Sequence, residues 1–353
     1  MQKYYRLYRE LKTRILSGAY KSGEKLPSKR VLADREGVSV ITVERACQML
    51  ADEGYIQTKE RQGYFVSDAR LQPPSHIPAE PIAYLPEPSA PPEDDLAYSA
   101  WFRTVRRVLT EKGSLLFVKA PMQGCAVLRN EIAAYLARYR HISAQPRQIV
   151  IGSGAEQLYE IVVRIFGRES IYGIEEPSYR QIEGAYTAMG AKICRLPLAA
   201  DGISSDTLHS ADFDILHVTP FHSYPTGITT PIGKRMEYLQ WAAEENSYII
   251  EDDFDSEFFL PGQPLETLYA LDGRRCVVYI NTFSKSLSPS MRVGYMILPE
   301  PLLNVYAEKL EGMSCPVPVM DQYVLAEFIR SGDFERHLNH MRRKMRRGEN
   351  AGM

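Results

Sequence analysis

The stretch Thr282-Phe-Ser-Lys285-Ser-Leu-Ser-Pro-Ser-Met-Arg292-Val-Gly-Tyr295 decides the reading of most of this chain. Apolar runs at 276–281 and 293–298 bracket it, so it reads as a polar loop between two buried strands. A lysine set among hydroxyl residues at a strand end suits an aldehyde cofactor. Its amine can form a Schiff base once desolvated, while Thr282, Ser284 and Arg292 can bind a phosphate. The plainer alternative is a strand-end lysine serving only as a surface charge.

Working outward, Ile249-Ile-Glu-Asp252-Asp-Phe254 is a hydrophobic strand that delivers carboxylates at its C-terminal end, where α/β sheets bind ligands. Asp252 can keep a pyridine nitrogen protonated, and Phe254, two residues on, shares its side of the strand. Gly152-Ser-Gly-Ala-Glu156 follows another apolar run and opens a helix, whose N-terminus attracts phosphate. Ser153 and Glu156 also fit a capping box, a purely structural explanation of the same residues. Pro177-Ser-Tyr179 offers an aromatic ring for stacking. Strand-like runs at 148–152, 170–174, 192–196, 214–218 and 247–251 join the two already named. Alternation with helical segments predicts an α/β layered domain with a mostly parallel sheet.

Upstream the composition changes. Eight prolines between Ala69 and Asp95 exclude a helix or a central strand and predict a stiff, extended linker over 69–96. Before it, residues 4–17 form an amphipathic run ended by Gly18. Ser28 can cap a helix to Glu36 stopped by Gly37, and Ser39 can cap a third, with Val43, Ala46, Cys47 and Leu50 buried. Gly54-Tyr-Ile-Gln and Gly63-Tyr-Phe-Val then read as two short strands. Three helices and a two-stranded ribbon make a winged helix-turn-helix over 1–68.

The charge distribution agrees. The net charge of -2 divides into +5 over residues 1–70 and -7 over the rest, a basic head on an acidic body. A mean hydropathy of -0.28 and the lack of a ~20-residue apolar run argue against a membrane protein. Five scattered cysteines without a CxxC pair fit reduced thiols in the cytoplasm rather than a disulfide frame or a metal site.

The head, LPSKRVLADREGVSVITVERACQMLADEGYIQTKERQGYFV, resembles the GntR family of bacterial regulators in its Leu-Pro-Ser-x-Arg, Gly-Val-Ser, Thr-Val and Glu-Gly-Tyr-Ile pieces. By position, Ser28, Lys29 and Arg30 sit at a helix start that favours a phosphate. Ser39, Ile41 and Thr42 open the recognition helix, and Arg45, Lys59 and Arg61 are further DNA candidates. The body resembles the fold-type-I aminotransferase superfamily, which uses pyridoxal 5'-phosphate (PLP). The similarity is closest to the MocR-type regulators, through TPFHSYPTG, IIEDDFDSEF and TFSKSLSPSMRVGY. That resemblance implies an aspartate-aminotransferase-like PLP domain over 97–353. Lys285 would be the Schiff-base lysine, Asp252 the ring-nitrogen partner and Tyr179 the stacking ring. Ser153, Gly154 and Ala155 with Thr282, Ser284 and Arg292 would form the phosphate cup.

The sequence departs from these patterns in several places. Val40 and Glu44 stand where the GntR pattern favours arginine. Tyr224 replaces the Asn of Asn-Pro-Thr-Gly, and Phe254 replaces a tyrosine that commonly donates to the cofactor, so turnover should suffer more than binding. The chain stops at Met353, where relatives continue, so most of the small C-terminal subdomain is expected to be lacking. The closing run Arg342-Arg-Lys-Met-Arg-Arg reads as a solvated helix face. The expectation is a homodimeric regulator that binds double-stranded DNA and senses PLP or an amino compound. A PLP-dependent aminotransferase and a DNA-binding remnant that senses nothing are the alternatives.

Overall fold

The computed structural model describes residues 3–59, 62–67, 95–253, 256–258, 265–273 and 275–346. The chain divides into two compact units, Met1–Pro91 and Pro92–Met353, with the division inside the proline-rich segment. Most of that segment, 68–94, lies outside the described residues, as do Arg61 and Phe254.

The first unit contains α1 (Lys3–Leu16), α2 (Lys29–Glu36) and α3 (Val40–Asp52), then β1 (Ile56–Lys59) and β2 (Gly63–Val66). Local chemistry sets the helix ends. The Ser28 and Ser39 hydroxyls accept from the Val31 and Thr42 amides, and Gly37 stops α2 at φ 61°, a left-handed conformation that costs glycine little. α3 buries Val43, Ala46, Cys47 and Leu50, the face its periodicity marked. These pack with Leu7, Leu11, Leu32 and Ile56 into one core. β1 and β2 pair antiparallel, Ile56 opposite Val66. The first strand starts two residues later than the sequence suggests, because Gly54 takes φ 78° in the turn that leaves α3.

The second unit opens with α4 (Asp95–Lys112), α5 (Ala126–Tyr139), β3 (Ile149–Gly152), α6 (Ala155–Phe166), β4 (Ile171–Glu176), α7 (Arg180–Ala188) and β5 (Lys192–Ala199). There follow β6 (Gly202–Ile203), α8 (Ser205–Ser210), β7 (Ile215–Val218), α9 (Ile232–Glu244), β8 (Tyr248–Asp252) and α10 (Leu268–Leu271). The unit ends with β9 (Val277–Thr282), β10 (Gly294–Ile297), α11 (Leu302–Lys309), α12 (Val319–Arg330) and α13 (Asp333–Arg346). The sheet order is β3-β10-β9-β8-β7-β4-β5-β6. Strands β9, β8, β7, β4 and β5 pair parallel, while β10 runs antiparallel between β3 and β9 and β6 antiparallel at the far edge.

Both sheet faces are covered, which is why the strands read as near-continuous apolar runs. Side chains alternate between the two sides. Ile149, Ile151, Tyr279 and Tyr295 join Leu128, Leu325 and Phe334, whereas Val150, Val278, Ile280 and Met296 join Leu158, Ile182 and Leu302. The closing basic helix is only partly a solvated face, because Arg342 Nε donates to the Glu257 carbonyl at 2.6 Å. Among the described residues no helix is long and apolar enough to cross a membrane.

Candidate functional site

The loops that follow β3, β4, β7, β8 and β9 meet at the C-terminal ends of these strands, where the sheet topology leaves a crevice. A cavity of about 240 Å³ opens there. Among its walls are Ala155, Tyr179, Asp252, Thr282, Ser284, Lys285 and Arg292, seven of the nine body residues singled out in the sequence. Each comes from a strand end or the loop beyond it, except Ala155, which opens α6. Gly154 and Ser153 stand just behind this wall, between β3 and α6.

The floor is buried and the mouth is exposed. Asp252 is 3% exposed, and its Oδ2 accepts a short hydrogen bond from the hydroxyl of Tyr159, itself buried. His217 Nε2 lies 3.9 Å from the same oxygen, and Tyr186 bonds His217 Nδ1 at 2.6 Å. Burial first, then the neighbouring carboxylate, holds the Tyr159 phenol far above its ordinary pKa, so it stays a donor. Asp252 Oδ1 has no hydrogen-bond partner among the described residues. Beside this network the fully buried Glu175 is pushed up to about 8 by desolvation, although Ser223 Oγ and the Thr219 amide donate to it. Lys285 and Arg292, by contrast, are exposed at the rim. The Lys285 ammonium sits 6.0 Å from the Phe258 ring centre.

The phosphate-cup candidates show one difference from expectation. Ser153 and Glu156 form no capping box: Gly154 is the N-cap residue, and it has no side chain to cap with. The Ser153 amide donates to Gln157 Oε1 at 2.7 Å, and Glu156 turns to pair with Arg292. Gly154 is required in this place. A Cβ there would stand 2.7 Å from Arg292 Nη2, and its φ of 93° disfavours any other residue. Tyr179 and Tyr224 meet edge to face at 5.9 Å and are both exposed, so the replacement noted at Tyr224 puts a second aromatic ring at the mouth.

Sequence reading missed Tyr159, Gln181, Ile182 and Thr219 on the wall. Tyr159 lies on the buried apolar face of α6, where nothing in the sequence separates it from core residues. No group of three or more His, Cys, Asp or Glu side chains able to hold a metal occurs among the described residues.

The head presents the other candidate surface. Ser28 and Ser39 cap α2 and α3, and Thr42 Oγ1 lies 2.8 Å from Ser39 Oγ. Arg30 and Ile41 are exposed. Lys29 and Arg45 each have a partner within the head: Lys29 Nζ pairs with Glu44 Oε1 at 2.7 Å, and the Arg45 guanidinium lies 4.3 Å from the Tyr4 ring centre. Lys59 stands over Phe65 at 4.7 Å on the ribbon.

Comparison with known proteins agrees with both units. Residues 3–66 match the family described as bacterial regulatory proteins, gntR family, and residues 95–349 match aminotransferase class I and II. YdeL, an HTH-type transcriptional regulator of Bacillus subtilis, is 36% identical, covering 98% of this chain and 77% of its own. The HTH-type pyridoxine biosynthesis transcriptional regulator PdxR of Corynebacterium glutamicum is 31% identical, covering 96% and 76%. Among solved structures, LysN, an alpha-aminoadipate aminotransferase from Thermus thermophilus complexed with N-(5'-phosphopyridoxyl)-L-leucine, is similar to the body. It has a TM-score of 0.63 and 27% identity, covering 70% of this chain and 64% of that one. The chain thus spans about three quarters of the regulators' length and less than two thirds of this aminotransferase's. A winged helix-turn-helix followed by an aminotransferase-like sheet places this chain among the GntR-family HTH-type transcriptional regulators of the MocR/PdxR type.

Proposed function

We propose that the body of this regulator binds PLP at Lys285, and that PLP or an amino compound meeting it there alters how the head engages DNA. The class I and II aminotransferase fold normally binds PLP. One observation carries the reading for this chain: a buried carboxylate oxygen without a partner, Asp252 Oδ1, lies in the same cavity as a strand-end lysine. A protonated ring nitrogen is the donor such an atom lacks. The close approach of Arg292 to Gly154 also fits a phosphate held by that guanidinium against backbone amides at the start of α6.

When bound, PLP supplies an aldehyde that condenses with primary amines and a ring that accepts electrons. Lys285 would hold the aldehyde carbon, Asp252 the ring-nitrogen proton, and Tyr179 one ring face. Ser153, Gly154, Ala155, Thr282, Ser284 and Arg292 would hold the phosphate, with Arg292 drawn from Glu156. Tyr159 keeps the second Asp252 oxygen occupied, so that only Oδ1 addresses the ligand. In the head, Ser28, Lys29, Arg30, Ser39, Ile41, Thr42, Arg45 and Lys59 would face the duplex. A homodimer, with paired heads on paired half-sites, belongs to the same proposal. The exposed apolar residues Leu115, Phe117 and Val118 after α4 are a surface that self-association would cover. The coupling is allosteric only if the ligand distinguishes two states.

The test is a visible-absorbance titration with PLP. A lysine-bound cofactor band is expected for the native chain and lost in Lys285→Ala, and salt-sensitive binding to a duplex should shift on adding PLP. Equal spectra for the two proteins would overturn the sensor reading.

A further inference from the structure

The helix that meets DNA in this head presents hydrocarbon where a charge would be expected. With Val43, Ala46, Cys47 and Leu50 turned into the core, the outward face of α3 carries Ile41, Glu44, Arg45 and Gln48, and Val40 flanks it. Ile41 is 77% exposed and Val40 40%. The first turn of α3 holds no cation; Lys29 pairs with Glu44 on the same helix at 2.7 Å, and Arg45 lies over the Tyr4 ring. Isolated surface isoleucines are ordinary. The address of this one is not, because the N-terminal residues of a recognition helix are the ones that reach base edges.

Each base edge in the major groove carries hydrogen-bonding atoms, and only thymine adds an apolar group, its C5-methyl. An isoleucine there can gain from that methyl alone. Glu44, one turn further on, is an acceptor held in place by Lys29. Guanine O6 and N7 are acceptors too and would repel it, whereas the cytosine amino group would suit it.

We infer that Ile41, with Val40 beside it, reads thymine methyl groups in the major groove, and that Glu44 turns guanine away from the adjoining position. The partner is therefore double-stranded DNA with thymine at a fixed place in each half-site. This rests on the DNA-binding role of the head and specifies what that role selects. It also means that sequence discrimination here leans on methyl contacts more than on charged hydrogen bonds, so discrimination should survive added salt better than affinity does.

The experiment uses the full chain. Half-sites are first selected from a random duplex pool, and each thymine of the selected site is then replaced by deoxyuridine, which lacks only the methyl. Native protein is expected to lose about fourfold in affinity at one or two positions, the effect of one buried methyl. Ile41→Ala should bind the thymine and uracil duplexes alike at the position it reads, while Val40→Ala weakens the effect at a neighbouring one. Ile41 packs against little, so circular dichroism of Ile41→Ala should match the native chain. A selected site that tolerates uracil everywhere, or an equal uracil penalty in Ile41→Ala, overturns this inference and leaves DNA binding standing. Failure to enrich any duplex would remove both.

Discussion

Replacing Tyr159 by phenylalanine tests the floor of the cavity with the smallest possible change. Tyr159 is 1% exposed, and its hydroxyl is the donor to Asp252 Oδ2. His217 Nε2, at 3.9 Å, is too far to take over, and Oδ1 has no partner to share. Losing one hydrogen bond to a charged, buried acceptor costs about 1.5–3 kcal/mol, a sizeable part of the roughly 5–15 kcal/mol that stabilises a typical domain. Urea unfolding of the body without PLP at neutral pH, followed by far-ultraviolet circular dichroism, should show a lower midpoint at unchanged slope. The decisive comparison repeats the substitution in Asp252→Ala. There the hydroxyl has lost its acceptor, so removing it should cost less than about 0.5 kcal/mol. The same loss in both backgrounds would mean that Tyr159 stabilises by packing alone, and the argument about Asp252 would be wrong.

Gly154→Ala should destabilise the body by about 1–3 kcal/mol, because φ 93° with ψ 178° is a glycine conformation. The close Arg292 contact adds little to stability, since that guanidinium can swing away, but a PLP titration should show weakened binding; unchanged values of both would refute the close-approach argument. Glu175 gives a pH prediction. Burial pushes it from 4.5 to about 8, so the folded protein holds a proton that the unfolded chain releases. Its stabilising contribution is full below the unfolded value and is lost as pH rises towards about 8. Glu175→Gln should therefore flatten part of the fall in stability across that window, seen as a smaller drift in urea midpoints. Glu251 and Glu257, pushed up to about 8 and about 7 by the same cause, leave a residual slope.

The parts of this molecule legible in its sequence are those determined locally. Ser28, Ser39 and Gly37 bound their helices through contacts within a few residues, and Val43, Ala46, Cys47 and Leu50 fell on one face because the helical period alone puts them there. Several strand ends were legible too, since apolar runs stop close to where polar cavity residues start, but β4 and β5 continue to Glu176 and Ala199, beyond their apolar runs. Tyr159 was not, because its partner is 93 positions away and meets it only once β8 has been laid beside the other strands. Glu44 was visible as an anomaly, yet its pairing with Lys29 depends on how α2 crosses α3. The Ser153–Glu156 pairing failed for a local reason: a glycine at the cap left Glu156 to find Arg292. β6 went unnoticed because two residues carry no period.

The sheet order has a consequence for the protein's birth on the ribosome. Among the described residues β3, over 149–152, pairs only with β10, over 294–297, and that register sets Gly152 opposite Gly294 at the cavity end. The edge of the sheet that carries Ser153 and Gly154 therefore waits unpaired until well over a hundred further residues have been translated. Among the described residues, the core of the head is built from Leu7 to Val66. A nascent chain halted before Gly294 should thus carry a finished winged helix-turn-helix head and an incomplete crevice in the body. For a short interval in each molecule's life, the helix-turn-helix head is complete while the crevice of the body is still open on one side.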